Sequence, residues 1–158
     1  MKKKQFILIE LLLFTVLIFS GCKAQLISYN EKKPNIYYYT QNLCSLIDKT
    51  DDFSVVLFQS DLHKQIDITK EAVPVLKNFI NDIKAEDFID KPNGIPEIPP
   101  YKLFITIDNV RYVVNIYNDS ILSVHTWDGI FKEDFLTMKD VHAAYNLYGL
   151  CKYIFTFK

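Results

Sequence analysis

Apolar and polar positions alternate with a period of two in three consecutive runs: Tyr101 to Ile107, Val110 to Tyr117 and Ile121 to Trp127. That period sends successive side chains to opposite faces of a strand, so the runs predict an antiparallel meander. The links are Asp108-Asn109 and Asn118-Asp119, residues that tolerate positive φ and suit two-residue hairpin turns. With Ile107 opposite Val110 and Tyr117 opposite Ser120, one face collects Leu103, Ile105, Ile107, Tyr112, Val114 and Ile116 with Ser123, His125 and Trp127. This face reads as the core side. The other face is polar with an apolar row, Phe104 beside Val113 beside Val124, flanked by Arg111. Two accounts of that row stay open: another element of the chain packs on it, or it is an exposed recognition face.

Upstream, Tyr37 to Asp48 carries Tyr38, Leu43, Leu46 and Ile47 at helical spacing. Phe53 to Gln59 is an apolar, β-branched run, Ser60-Asp61 suits a turn, and His63 to Ile68 alternates, which predicts a hairpin. Thr69 is placed to cap a helix from Lys70 to about Lys84, with Val73, Leu76, Ile80 and Ile83 on one stripe and Pro74 just past the first turn. Asp90 to Pro100 is rich in proline and contains Asn93-Gly94, so it reads as a loop. Downstream of the Asp128-Gly129 turn, Glu133-Asp134 has the look of a helix N-terminal signal, and a last helix is expected from about Asp140 with Val141, Ala144, Tyr145 and Tyr148 on one stripe. Tyr153 to Phe157 suits either a final helical turn or a short closing strand.

The fold class that follows is α+β: an antiparallel sheet, made of an N-terminal hairpin plus a three-stranded meander, packed with helices. The first residues stand apart from it. Lys2, Lys3 and Lys4 precede an apolar run from Phe6 to Phe19, and Ser20-Gly21-Cys22 follows. A basic segment, a short apolar segment and small residues before a cut describe a secretory signal peptide over 1–21. The Ser20-Gly21-Cys22 ending resembles the lipobox of bacterial lipoproteins, with Phe19 where leucine is usual. The resemblance implies that Cys22 carries the lipid and becomes the new N-terminus. Simple secretion and an uncleaved anchor are the alternatives, although the run after Glu10 is shorter than the roughly 20 residues a spanning helix needs. Residues 22–35 are polar, end in Lys32-Lys33-Pro34-Asn35 and read as a tether, which leaves 36–158 as one domain.

Composition narrows the chemistry. The net charge of the 158 residues is −1, and removing Lys2, Lys3, Lys4 and Glu10 with the signal peptide makes it more negative. No basic face is implied, and nucleic acid is an unsuitable partner. Arg111 is the sole arginine, which points to an AT-rich genome and a low-GC Gram-positive envelope. The expected partners are the membrane, through the lipid anchor, and an envelope protein or wall component. Cys44 and Cys151 remain after lipidation and are either one disulfide or two buried free thiols.

No motif for a cofactor or a metal is present: His63, His125 and His142 lack the short spacing of metal ligands, and no glycine-rich phosphate loop or nucleophile elbow occurs. His125, on the expected core face, reads as a packing residue beside Tyr112. The densest polar cluster with an aromatic neighbour is Trp127-Asp128-Gly129 followed by Glu133 and Asp134. Two carboxylates flanking a sugar would support glycan hydrolysis by Asp128 with Glu133 or Asp134, although these are also ordinary turn and cap residues. The leading expectation is a binding or accessory module of the cell envelope, without catalytic residues, using Phe104, Arg111, Val113 and Val124 or the Trp127 loop.

The run Tyr101 to Trp127-Asp128-Gly129, followed by Tyr145-Asn146-Leu147-Tyr148 and taken with the lipobox, resembles small uncharacterised lipoproteins of clostridia and related low-GC Gram-positives. The resemblance implies a location on the extracytoplasmic side of the cell membrane. It brings no activity with it.

Overall fold

The computed structural model describes residues 32–157. The expected signal peptide, Cys22 and the expected tether up to residue 31 lie outside the described residues. The chain is α+β. It runs α1 (Tyr38–Ile47), β1 (Ser54–Gln59), β2 (Lys64–Asp67), α2 (Thr69–Asp82), β3 (Phe88–Ile89), β4 (Tyr101–Ile107), β5 (Val110–Ile116), β6 (Ile121–Thr126), β7 (Asp134–Thr137) and α3 (Leu147–Phe157). The strands form one sheet in the order β2-β1-β4-β5-β6-β7-β3, with every neighbouring pair antiparallel.

The hairpin and the meander expected from the sequence are one sheet because β1 pairs with β4, from Ser54 opposite Thr106 to Gln59 opposite Tyr101. One face carries Val55, Leu57, Leu103, Ile105, Val114, Ile116, Leu122, Val124 and Leu136. These pack with Leu43 and Ile47 of α1, Leu76 and Phe79 of α2, and Leu147, Cys151 and Ile154 of α3 in a single buried cluster. Val113, Tyr117 and Phe135 are also buried, yet they belong to the other face and stand outside that cluster. Helices thus cover one side of the sheet and leave the other to be finished by loops.

Asp108 and Asn109 have φ of 47° and 64°, the pair of left-handed residues a two-residue turn requires, and Ile107 faces Val110 as expected. The next turn differs from the sequence expectation by one residue. Asn118 Oδ1 accepts from the Ser120 amide at 2.8 Å, and the amides of Tyr117 and Asn118 both donate to Ile121 O, at 3.0 and 3.4 Å. The link is therefore three residues, Asn118 to Ser120, closed by an asparagine side chain standing in for backbone. Val114 then faces Val124, and Val113 faces His125. A one-residue slip moves every side chain of a strand to the other face. Val124 goes to the core, only 2% exposed, and Ser123, His125 and Trp127 go to the open face.

Two further elements were not expected. Glu133-Asp134 leads into strand β7 rather than a helix, and β3 adds two residues at its edge, Phe88 opposite Leu136 and Ile89 opposite Phe135. The last helix starts later than the sequence stripe suggests. His142 Nδ1 accepts from Ala144 N at 3.2 Å and holds a single 3-10 turn, Ala143–Tyr145. Asn146 Oδ1 then accepts from Tyr148 N and Gly149 N, each at 3.1 Å, and caps α3. The buried stripe of α3 is Leu147, Cys151 and Ile154, and Tyr153 to Phe157 is helical.

Cys44, on α1, and Cys151, on α3, are both free thiols, so the alternative of a bridge between them does not hold in this structure. Burial pushes the Cys44 thiol up to about 11, with the Asp48 carboxylate adding to the effect. Burial pushes Cys151 higher still.

Candidate functional site

The open face of the sheet carries a cleft of about 480 Å³, bounded on one side by the Asp90 to Pro100 loop, which contributes Lys91, Ile95, Pro96, Glu97 and Pro99. Its floor is Phe104 of β4, Val113 and Asn115 of β5 and His125 of β6, with Lys102, Tyr117, Trp127, Phe131 and Glu133 around them. The three-residue turn before β6 puts His125 and Trp127 on this side.

The polar part of the floor is a connected set. Glu133 Oε2 accepts from Asn115 Nδ2 at 3.2 Å and from the Ser123 hydroxyl, and Asn115 Nδ2 also reaches Ser123 Oγ at 3.3 Å. Ser123 is fully buried, and Asn115 is nearly so. Tyr117 belongs to the same group: burial raises its phenol above the usual range, a hydrogen bond with Ser123 works against that, and the Glu133 charge adds to it. His125 Nδ1 lies 2.8 Å from Thr126 O. A carbonyl can only accept, so Nδ1 carries a proton in this contact.

Aromatic rings frame the polar set. Phe104 meets Trp127 edge to face at 5.9 Å and Phe58 at 6.4 Å. On the other side Tyr117 stacks on Phe135 at 6.1 Å, and Lys91 Nζ lies 5.9 Å from the Phe135 centroid. Trp127, the sole tryptophan, is 65% exposed.

Long-range anchors set the edge of the cleft. The Tyr39 hydroxyl of α1 accepts from Phe131 N at 2.9 Å and lies 3.4 Å from Phe131 O. Gly129 runs so close to this phenol that a Cβ there would sit 2.6 Å from it, which explains a glycine at that position. Three residues on from Phe131, Asp134 Oδ2 accepts from Thr40 N in the first turn of α1 at 2.6 Å, and its other oxygen pairs with Lys33. Helix α1 has no side-chain cap of its own. Its N-terminus, where amides lack partners and the dipole favours an anion, is closed by this carboxylate from β7.

Of the residues singled out from the sequence, Phe104, Val113 and Trp127 come together in the cleft. Arg111 is exposed near the far end of the same face and outside the lining, and Val124 belongs to the core for the reason of register given above. His125 is a cleft residue rather than a core one. The carboxylates considered for hydrolysis are dispersed: Glu133 lines the cleft, Asp134 is buried under α1, and Asp128 lines a separate hollow with Tyr38 and Tyr39. Asn115, Tyr117, Ser123, Lys91 and Lys102 were missed. Asn115, a lone polar residue between Val114 and Ile116, was the available signal.

No protein of curated function matches the chain. The fold is similar to a solved structure, "Crystal Structure of Putative Lipoprotein from Clostridium perfringens", with a TM-score of 0.70 and 27% sequence identity, covering 79% of this chain and 99% of that one. A family model described as "Domain of unknown function (DUF4883)" matches residues 33–151. That segment begins at the lysine that pairs with Asp134 and spans the sheet, the loop over the cleft and the start of α3, so the chain belongs to the DUF4883 family.

Proposed function

We propose that this protein is a lipid-anchored, extracytoplasmic binding module of the cell envelope, and that its cleft takes a saccharide of the wall. The observation that carries the reading is the connected Asn115, Ser123 and Glu133 set on the cleft floor, framed by Phe104, Trp127 and Tyr117. A sugar ring presents apolar C–H faces and a rim of hydroxyls. Exposed aromatic rings suit the first, and fixed amide, hydroxyl and carboxylate groups suit the second. Binding is favoured over hydrolysis because neither Asp128 nor Asp134 shares the cleft with Glu133. The anchor is supported by the lipobox-like Ser20-Gly21-Cys22 and by the name of the Clostridium perfringens neighbour.

Trp127 makes the test direct, because its fluorescence reports on the cleft alone. Titration with a tetramer of N-acetylglucosamine is expected to shift the emission in a saturable way. Trp127→Ala abolishes binding measured by calorimetry, whereas Arg111→Glu, outside the lining, leaves it unchanged. No saturable binding by the native chain of this tetramer or of its free-amine counterpart overturns the reading. For the anchor, Cys22→Ala is expected to move the chain from the membrane fraction to the medium or to leave an unprocessed precursor; processed chain still held at the membrane refutes it.

A further inference from the structure

Among the described residues, the charges around the cleft form no salt bridge with one another. Lys91, Lys102, Glu97 and Glu133 all line it, yet the ion pairs of the described residues are Lys33 with Asp134 and Lys77 with Asp51, both elsewhere. Glu133 and Lys102 are the half-buried members, Lys91 and Glu97 the exposed ones. Glu133 Oε2 takes both floor donors, Asn115 and Ser123, which are neutral, and among the described residues Oε1 accepts no hydrogen bond. A carboxylate held in place by neutral donors has no counter-ion among them and keeps its second oxygen without a protein donor. The neighbouring rings add to this preference, since aromatic faces attract cations. The chain itself uses one that way: the Lys91 ammonium lies over Phe135, which stacks on Tyr117.

From this we infer that the cleft selects a saccharide bearing a free amine, with the ligand's ammonium donating to Glu133 Oε1 beside the aromatic wall. The inference rests on the saccharide reading above and names the group that the site would read. An N-acetylated sugar offers Glu133 only a neutral amide N–H. A free amino sugar offers a charge-assisted bond in a partly desolvated place, which is expected to be worth about tenfold or more in affinity.

The experiment compares two probes of the same length, a tetramer of glucosamine and a tetramer of N-acetylglucosamine, by Trp127 fluorescence and calorimetry at mildly acidic pH, where the amines are protonated. The expected result is at least about tenfold tighter binding of the free-amine tetramer, shrinking as salt rises. Glu133→Gln, which keeps the shape and an acceptor, removes the preference, so that the affinities of the two tetramers converge to within about twofold. Lys102→Gln, which removes a like charge from the cleft, tightens the free-amine tetramer, a gain that damage to the fold does not produce. Equal affinities, or a preference for the N-acetylated tetramer, overturn the inference and leave the saccharide reading in place. If neither tetramer binds, both fall.

Discussion

Glu133 and Asp134 are consecutive in sequence, and the alternation of the strand sends them to opposite faces of the sheet. On the open face Glu133 is held by two neutral donors and borders a cleft. On the helix side Asp134 is sealed from solvent between Lys33 and the first turn of α1. The same functional group is thus a potential ligand contact in one place and a helix cap with a counter-ion in the other. What separates them is which elements cover each face. Helix α1 and Lys33 leave Asp134 no water and supply its partners, from 94 residues away in the case of Thr40, while a loop leaves Glu133 accessible.

The comparison is broken most severely at Asp134. Asp134→Ala strands the Lys33 ammonium and the Thr40 amide, and removing one partner of a buried pair costs about 3 to 5 kcal/mol. Glu133→Gln, on the other face, should cost less than about 1 kcal/mol because its shape and an acceptor remain. Urea denaturation of the two variants measures both, and near-equal losses would mean that the faces do not divide the work as described. Next in size is the pair Leu122 and Trp127. Leu122→Ala empties a fully buried site and should cost about 2 to 5 kcal/mol, whereas Trp127→Ala should stay within about 0.5 kcal/mol while binding is lost. The register sharpens this contrast: Val124→Asp should unfold the domain and His125→Asp should be tolerated. The reverse order would restore the two-residue turn and exchange the faces.

A smaller effect is expected at high pH. Cys44 and Cys151 are held as neutral thiols by burial, so above their ordinary value of 9.0 the unfolded chain loses protons that the folded one keeps. Stability therefore falls as pH rises from 9 towards about 11, by up to about 1.4 kcal/mol per pH unit for each thiol. Below pH 9 these groups contribute no slope. Alkylation of the folded protein should reach the half-buried Cys44 slowly and Cys151 only after unfolding. Fast modification of Cys151 would contradict its place in the core.

The meander, the hairpin, the first two helices and the proline-rich loop were legible because each is written in a local pattern. The Asp108-Asn109 turn was legible to the residue. The second turn was not, because Asn118, Asp119 and Ser120 suit both a two-residue and a three-residue link, and the choice rests on a side-chain bond that the pattern does not encode. That single residue decided whether Val124 or His125 belonged to the site. Strand β7 escaped notice for a different reason. It is four residues long, follows directly on Glu133 and opens with Asp134, a carboxylate tolerable in a core only because Lys33 and the α1 terminus come to meet it. The cleft inherits both difficulties. Phe104, Val113 and Trp127 could be named from alternation and exposure, but Ser123 and Glu133 depend on a register and a strand that only the folded chain reveals.

Lys33 also bears on how the domain takes mechanical load. Its ammonium pairs with Asp134 and lies 5.7 Å from the Tyr39 ring, the ring whose hydroxyl holds Phe131. With the N-terminal side held at a membrane as proposed above, tension along the chain would meet this side chain before it reaches β1. The clamp is fastened to the strand and loop that make one wall of the cleft, so such a pull would act at the mouth of the site before it acts on the β1–β4–β5 centre of the sheet.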